Sequence, residues 1–257
     1  GIVRSNNPVL TQLPQAGSFA GYGSVQTDRP MTVDDVVTKT GITLAVIVAF
    51  AVANFGIALA GRPDISTILT FVGAIGGFIT VLVHAFGKKF GSRTVTLIYA
   101  AFEGLFVGGF SLILSGWMIG GANAGAMISQ AILGTVGVFL GMLFVYKTGA
   151  VRVTPRFNRI LTGAIVGVAV MALGNLVLFL FTGLSPLRDG GPLAIIFGVV
   201  CIILAALSFL QDFDLADRLV RTGAPSQMAW GVALGLAVTL VWLYTEILRL
   251  LSYANRN

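Results

Sequence analysis

Four carboxylates stand inside or at the edge of long apolar runs: Glu103, Asp212, Asp214 and Glu246. A carboxyl group surrounded by hydrocarbon is costly when charged. It holds a proton, pairs with a base or binds a hard cation through its oxygens, and each such residue is a candidate for passing or sensing ions. Glu103, in Tyr99-Ala100-Ala101-Phe102-Glu103-Gly104, lies roughly 12 Å into its run at 1.5 Å per helical residue. A neutral Glu hydrogen-bonded to a neighbouring helix is the alternative reading. Asp212 and Asp214 close a run as Gln211-Asp212-Phe213-Asp214. Two residues apart on a helix, they point to different faces, so at most one turns inward, and a polar helix exit explains both equally well. Glu246 and Arg249 are three apart and can pair within one helix, with Arg249 reaching outward to the interface. His84 and Cys201 are the only histidine and cysteine. One of each makes no disulfide and no metal cluster, so neither metal nor cofactor is expected.

What must position these groups follows from composition. The 257 residues are 56% hydrophobic and 10% charged, with a mean hydropathy of +0.93, against about 25% charged in average soluble domains. This excludes a water-soluble globule and points to an all-α integral membrane protein. The net charge of +6 needs no nucleic acid partner, since Lys and Arg collect in the cytoplasmic loops of membrane proteins.

A crossing needs about 20 apolar residues. Seven segments satisfy this, near 41–60, 68–86, 95–119, 124–146, 160–182, 193–211 and 229–251. Thr32, followed by Asp34 and Asp35, is an N-cap from which the first helix can begin. Residues 33–257 then form the transmembrane domain. Residues 1–32 are a polar, turn-rich tail without the apolar stretch of a secretory signal, and are expected to be held by a membrane protein partner rather than by the bundle. Twelve Lys and Arg fall on the side of the N-terminus, among them Arg93, Lys147, Arg152, Arg156, Arg159, Arg218 and Arg221. The other side has Arg62, Arg188, Arg249 and Arg256. The expectation is a cytoplasmic N-terminus and an external C-terminus.

Glycines four apart recur as Gly73 and Gly77, Gly104 and Gly108, Gly137 and Gly141, Gly163 and Gly167, and Gly231 and Gly235. All five pairs read as close helix packing, because burial of apolar surface does not drive association in lipid. Asn54, Gln130 and Asn175 read as interhelical hydrogen-bonding groups. Every lysine lies at a span edge or in a loop, which excludes a retinal protein. No G-x-S-x-G, H-E-x-x-H, Walker or dinucleotide fingerprint occurs, so no enzyme is expected.

Three segments carry a family resemblance: Tyr99 to Gly108, Phe209 to Leu215, and Thr239-Leu240-Val241-Trp242-Leu243-Tyr244 with Ile247-Leu248-Arg249-Leu250-Leu251. The chain resembles the Bax inhibitor-1 family, especially bacterial members with a polar N-terminal tail, here containing Asn6-Asn7-Pro8. The resemblance implies seven helices with the last one central, and location in the bacterial inner membrane. It also implies a pH-sensitive calcium or cation leak gated by an aspartate pair from helices six and seven. Asp214 fits the helix-six position best, and Thr239 stands where the helix-seven aspartate is expected. Glu103 is then the substitute acid, with Glu103 and Asp214 forming the acidic element and Asp212 beside them. The competing expectation is a non-conducting regulatory or accessory subunit of another membrane complex, such as a membrane protease.

Overall fold

A computed structural model describes residues 29–256 apart from 88–89 and 118–122. Most of the expected tail, with any partner contact made there, lies outside the described residues. Among those described, seven helices are long and apolar enough to cross a membrane. They are α1 (Val33–Leu59), α2 (Pro63–Phe86), α3 (Arg93–Ser115), α4 (Ala124–Thr148), α5 (Pro155–Thr182), α6 (Pro192–Arg221) and α7 (Ala229–Arg256). All seven coincide with the runs expected from hydropathy. The chain divides into two compact units, one taking the chain up to Gly109 with Asp214–Ala237, the other Phe110–Phe213 with Val238 to the C-terminus.

In the first unit, α1 starts at the expected cap. The Asp35 N–H donates to Thr32 Oγ1 at 3.2 Å, and Asp35 Oδ2 accepts from the Thr32 N–H at 2.9 Å, a reciprocal pair that satisfies two backbone donors. Arg29 pairs with both Asp35 oxygens. The segment before α1 is tied to the loop before α7: the Met31 N–H donates to the Ala224 carbonyl at 2.7 Å and the Ser226 N–H to the Arg29 carbonyl at 2.9 Å. Met31 is buried. The last residues of the tail therefore pack on their own chain.

The buried face of α2 is Ser66, Thr70, Gly73, Gly77 and Thr80, with no side chain larger than threonine. That face admits backbone contact. A methyl group added at Gly73 would strike the Phe102 carbonyl and sit 2.7 Å from the Phe106 nitrogen; one at Gly104 or Gly108 would strike the Ile47 or Ala51 carbonyl of α1. Asn54, fully buried on α1, donates to the Leu105 carbonyl at 2.7 Å and to Thr70 Oγ1 at 3.1 Å, the interhelical bonding expected of it.

The second unit corrects two expectations. Gly137, Gly141, Gly163 and Gly167 have open space beside them among the described residues, so these two pairs on α4 and α5 are not packing seams within the chain. Asn175 holds a loop rather than a helix: it donates to Ser185 Oγ at 3.0 Å and accepts from the Leu187 N–H at 3.1 Å. Past the end of the sixth apolar run at Gln211, the helix itself continues, and α6 reaches Arg221. Two i,i+4 pairs, Asp214 with Arg218 at 2.8 Å and Asp217 with Arg221 at 3.3 Å, cover the charges of its last turns, where Arg also complements the helix dipole.

Candidate ion-handling site

The longer α6 changes the place of Asp212. It stands nine residues before the end of the helix, roughly 14 Å inside it. Thr239 is ten residues from the start of α7, roughly 15 Å in. Matching depth on consecutive helices lets them meet, and the Thr239 hydroxyl donates to Asp212 Oδ2 at 2.8 Å.

The residues on either side of Asp212 aim it. Gln211 donates to Asn158 Oδ1 of α5 at 3.0 Å. Phe213 packs edge-on against Phe139 of α4, with centroids 5.5 Å apart, and against Tyr146 at 5.9 Å. Phe209, one turn back and fully buried, meets the same Phe139 ring at 5.4 Å. With these neighbours committed to α5 and α4, the Asp212 side chain is left to α7. Thr239 is its only hydrogen-bond partner and no cation pairs with it among the described residues.

Asp214, the residue favoured by the resemblance, is in the ion pair with Arg218. The α6 acid that meets Thr239 is thus Asp212, and no hydrogen bond joins Asp214 to Glu103 among the described residues. Glu103 faces α2: its Oε2 lies where the Gly77 surface is bare, 2.6 Å from the position a methyl group would take. Gly77 therefore serves the carboxyl group as well as the packing. His84 is set against the Phe90 ring, centroids 5.6 Å apart. Among the described residues no three His, Cys, Asp or Glu side chains gather as a metal set.

At the far end of α7, Glu246 is 3% exposed and forms the expected pair with Arg249, at 3.3 Å. Its stronger partner is one that sequence reasoning missed. Arg188, in the loop between α5 and α6, makes two near-parallel bonds to the carboxylate at 3.0 and 3.1 Å. Arg249 does not reach outward; it is largely buried, with its guanidinium 5.4 Å from the Phe110 ring centroid. Arg188 lies over Phe197 at 4.8 Å. The sequence marked Arg188 only as one of the four basic residues on the side opposite the N-terminus, and a partner 58 residues away is not readable from spacing.

Among the described residues, seven membrane-length helices, with Asp212 bonded to a hydroxyl and Asp214 and Glu246 paired with arginine, define an all-α polytopic membrane protein with ionisable groups on its helices. The chain belongs to the Bax inhibitor 1 like family, whose sequence model matches residues 7–256. No curated protein matches it.

Proposed function

We propose that this protein is a non-enzymatic, proton-modulated leak for calcium or another cation in the bacterial inner membrane, with a cytoplasmic N-terminus and an external C-terminus. The observation that carries the reading is the Asp212–Thr239 contact, a carboxylate within α6 with a neutral partner and, among the described residues, no arginine or lysine. When protonated, such a group needs no counter-charge; when ionised, it attracts a hard cation, for which carboxylate and hydroxyl oxygens are suitable ligands. Thr239 occupies the place where the family resemblance implies an aspartate, so one proton-binding member of the implied pair is a hydroxyl here. Glu103 is a second membrane-depth acid, and Asp214, held by Arg218, is peripheral.

Purified protein in liposomes loaded with a calcium dye tests this. Wild type should admit calcium at a rate that depends on pH, Asp212→Asn should flatten that dependence, and Thr239→Asp should steepen it. If wild type passes neither calcium nor a monovalent cation anywhere between about pH 5 and 8, the interval buried carboxyls reach, the leak reading fails. The regulatory-subunit reading then takes its place.

A further inference from the structure

The Arg188–Glu246–Arg249 cluster is not used by the proposed conduction chemistry, and it is built more firmly than a helix end requires. A buried carboxylate shared by two guanidiniums, each also stacked on a phenyl ring, demands that its elements be held in one arrangement. The elements joined are α7 and the segment 183–191 between α5 and α6. That segment is itself fixed internally: Asp189 Oδ1 accepts the Gly191 N–H at 2.9 Å, and Gly190 takes φ of 84°, which an L side chain rarely adopts. At its other end Asn175 holds Leu187 and Ser185. The result is a strap pinned to α5 by an amide and to α7 by a salt bridge.

Under the strap lies an apolar layer. Leu187, Phe197 and Cys201 are buried together, with Val168, Ala172 and Trp242 packed against them. This layer and the ion cluster share parts. Leu187 enters the layer while its neighbour Arg188 enters the cluster, and Phe197 is both a wall of the layer and the ring beneath Arg188. They cannot move independently. Along α7 the order is Thr239, then Trp242, then Glu246, with the first and last two turns or roughly 10.5 Å apart. Trp242 thus stands between the Asp212–Thr239 pair and the charged cluster.

We propose that residues 183–191 are a closing strap, that the Leu187, Phe197, Cys201 and Trp242 layer is the seal beneath it, and that release of Arg188 from Glu246 opens the Asp212–Thr239 site to water on that side. Arg188 is the movable pin. Its side chain is 24% exposed while Glu246 is 3% exposed, so water reaches the guanidinium first. Arg249 sits three residues from Glu246 on the same helix and stays with α7 when the strap lifts. It then remains to neutralise Glu246, which lowers the cost of the open state. The inference rests on the leak reading only for what the seal protects.

The molecule carries its own reporter, because Cys201 is the only cysteine and is 1% exposed within the seal. The full chain in lipid nanodiscs is treated with a small charged thiosulfonate and, separately, with a bulky polyethylene glycol maleimide, and the mass of the intact chain is followed. Wild type should react slowly with both. Glu246→Gln and Trp242→Ala should each speed the small reagent at least tenfold and leave the bulky one slow, while Arg62→Gln, an exposed residue of the other unit whose ion-pair partner is Asp64, should alter neither. Unchanged reactivity of Glu246→Gln overturns the strap, as does wild-type Cys201 reacting as fast as in denatured chain. If Glu246→Gln reacts quickly with both reagents it has unfolded. The decision then passes to Arg188→Lys, which keeps the charge but loses the paired bonds: a several-fold gain for the small reagent alone supports the strap, and no gain overturns it. Liposomes that conduct nothing would defeat the leak reading while leaving the Cys201 result standing.

Discussion

The helices α1 to α3 in the first unit and the α5 to α7 segments in the second solve the same problem by opposite means. In α1 to α3 the contacts are between backbones. Ser66, Thr70, Gly73, Gly77 and Thr80 give α2 a buried face without bulk, and Gly104 and Gly108 let α3 lie against carbonyls of α1. In the second unit the contacts are between large or charged side chains: Phe139 with Phe209 and Phe213, Arg188 with Glu246, Trp242 with the Leu187 layer. Lipid makes both solutions workable, since dispersion, close approach and interhelical hydrogen bonds replace the hydrophobic effect as the source of association. The first solution tolerates no added volume. The second tolerates no unpaired charge.

Glu246→Ala attacks the second rule most directly. It strands two largely buried guanidiniums and should lower stability by about 3–5 kcal/mol, the usual cost of removing one partner from a buried ion pair. Thermal unfolding in mild detergent reads it, and a loss below about 1 kcal/mol, the range of exposed pairs, would mean the cluster is solvated.

Gly73→Val attacks the first rule. With the Phe102 carbonyl and Phe106 nitrogen in the way, about 1–3 kcal/mol of overpacking strain or more is expected. Gly163→Val, whose neighbourhood is open, should leave the same melting curve nearly in place. Equal losses at the two glycines would show that the α5 pair packs against something in solution. A smaller effect belongs to Asn54→Ala, which removes hydrogen bonds to Leu105 and Thr70; about 1 kcal/mol is expected, as for polar groups between membrane helices in general. A loss as large as that of Gly73→Val would make hydrogen bonding, rather than close approach, the organising contact of α1 to α3.

The seven crossings were readable in advance because crossing a hydrocarbon layer fixes how many consecutive apolar residues a helix needs, and that is a local property. The cap at Thr32 was readable for the same reason, its partner Asp35 being three residues on. The Glu246–Arg249 pair was likewise local. The continuation of α6 beyond the sixth apolar run is not a matter of hydropathy; neighbouring Asp and Arg, paired four residues apart, cover one another's charge along its last turns.

Spacing alone could not separate glycines that pack from glycines that do not, since Gly73 with Gly77 and Gly163 with Gly167 are the same pattern. Nor could it choose between Asp212 and Asp214, which differ only in the side of α6 they occupy. That choice falls to Gln211 meeting Asn158 and Phe213 meeting Phe139, contacts between residues more than 50 positions apart. Arg188 was hidden in the same way. Apolar length, charge balance and caps are set by residues within a few positions of each other and so are written in the chain. Which acid meets a hydroxyl and which meets an arginine depends on the rotation of one helix against another, and only the packed helices decide that.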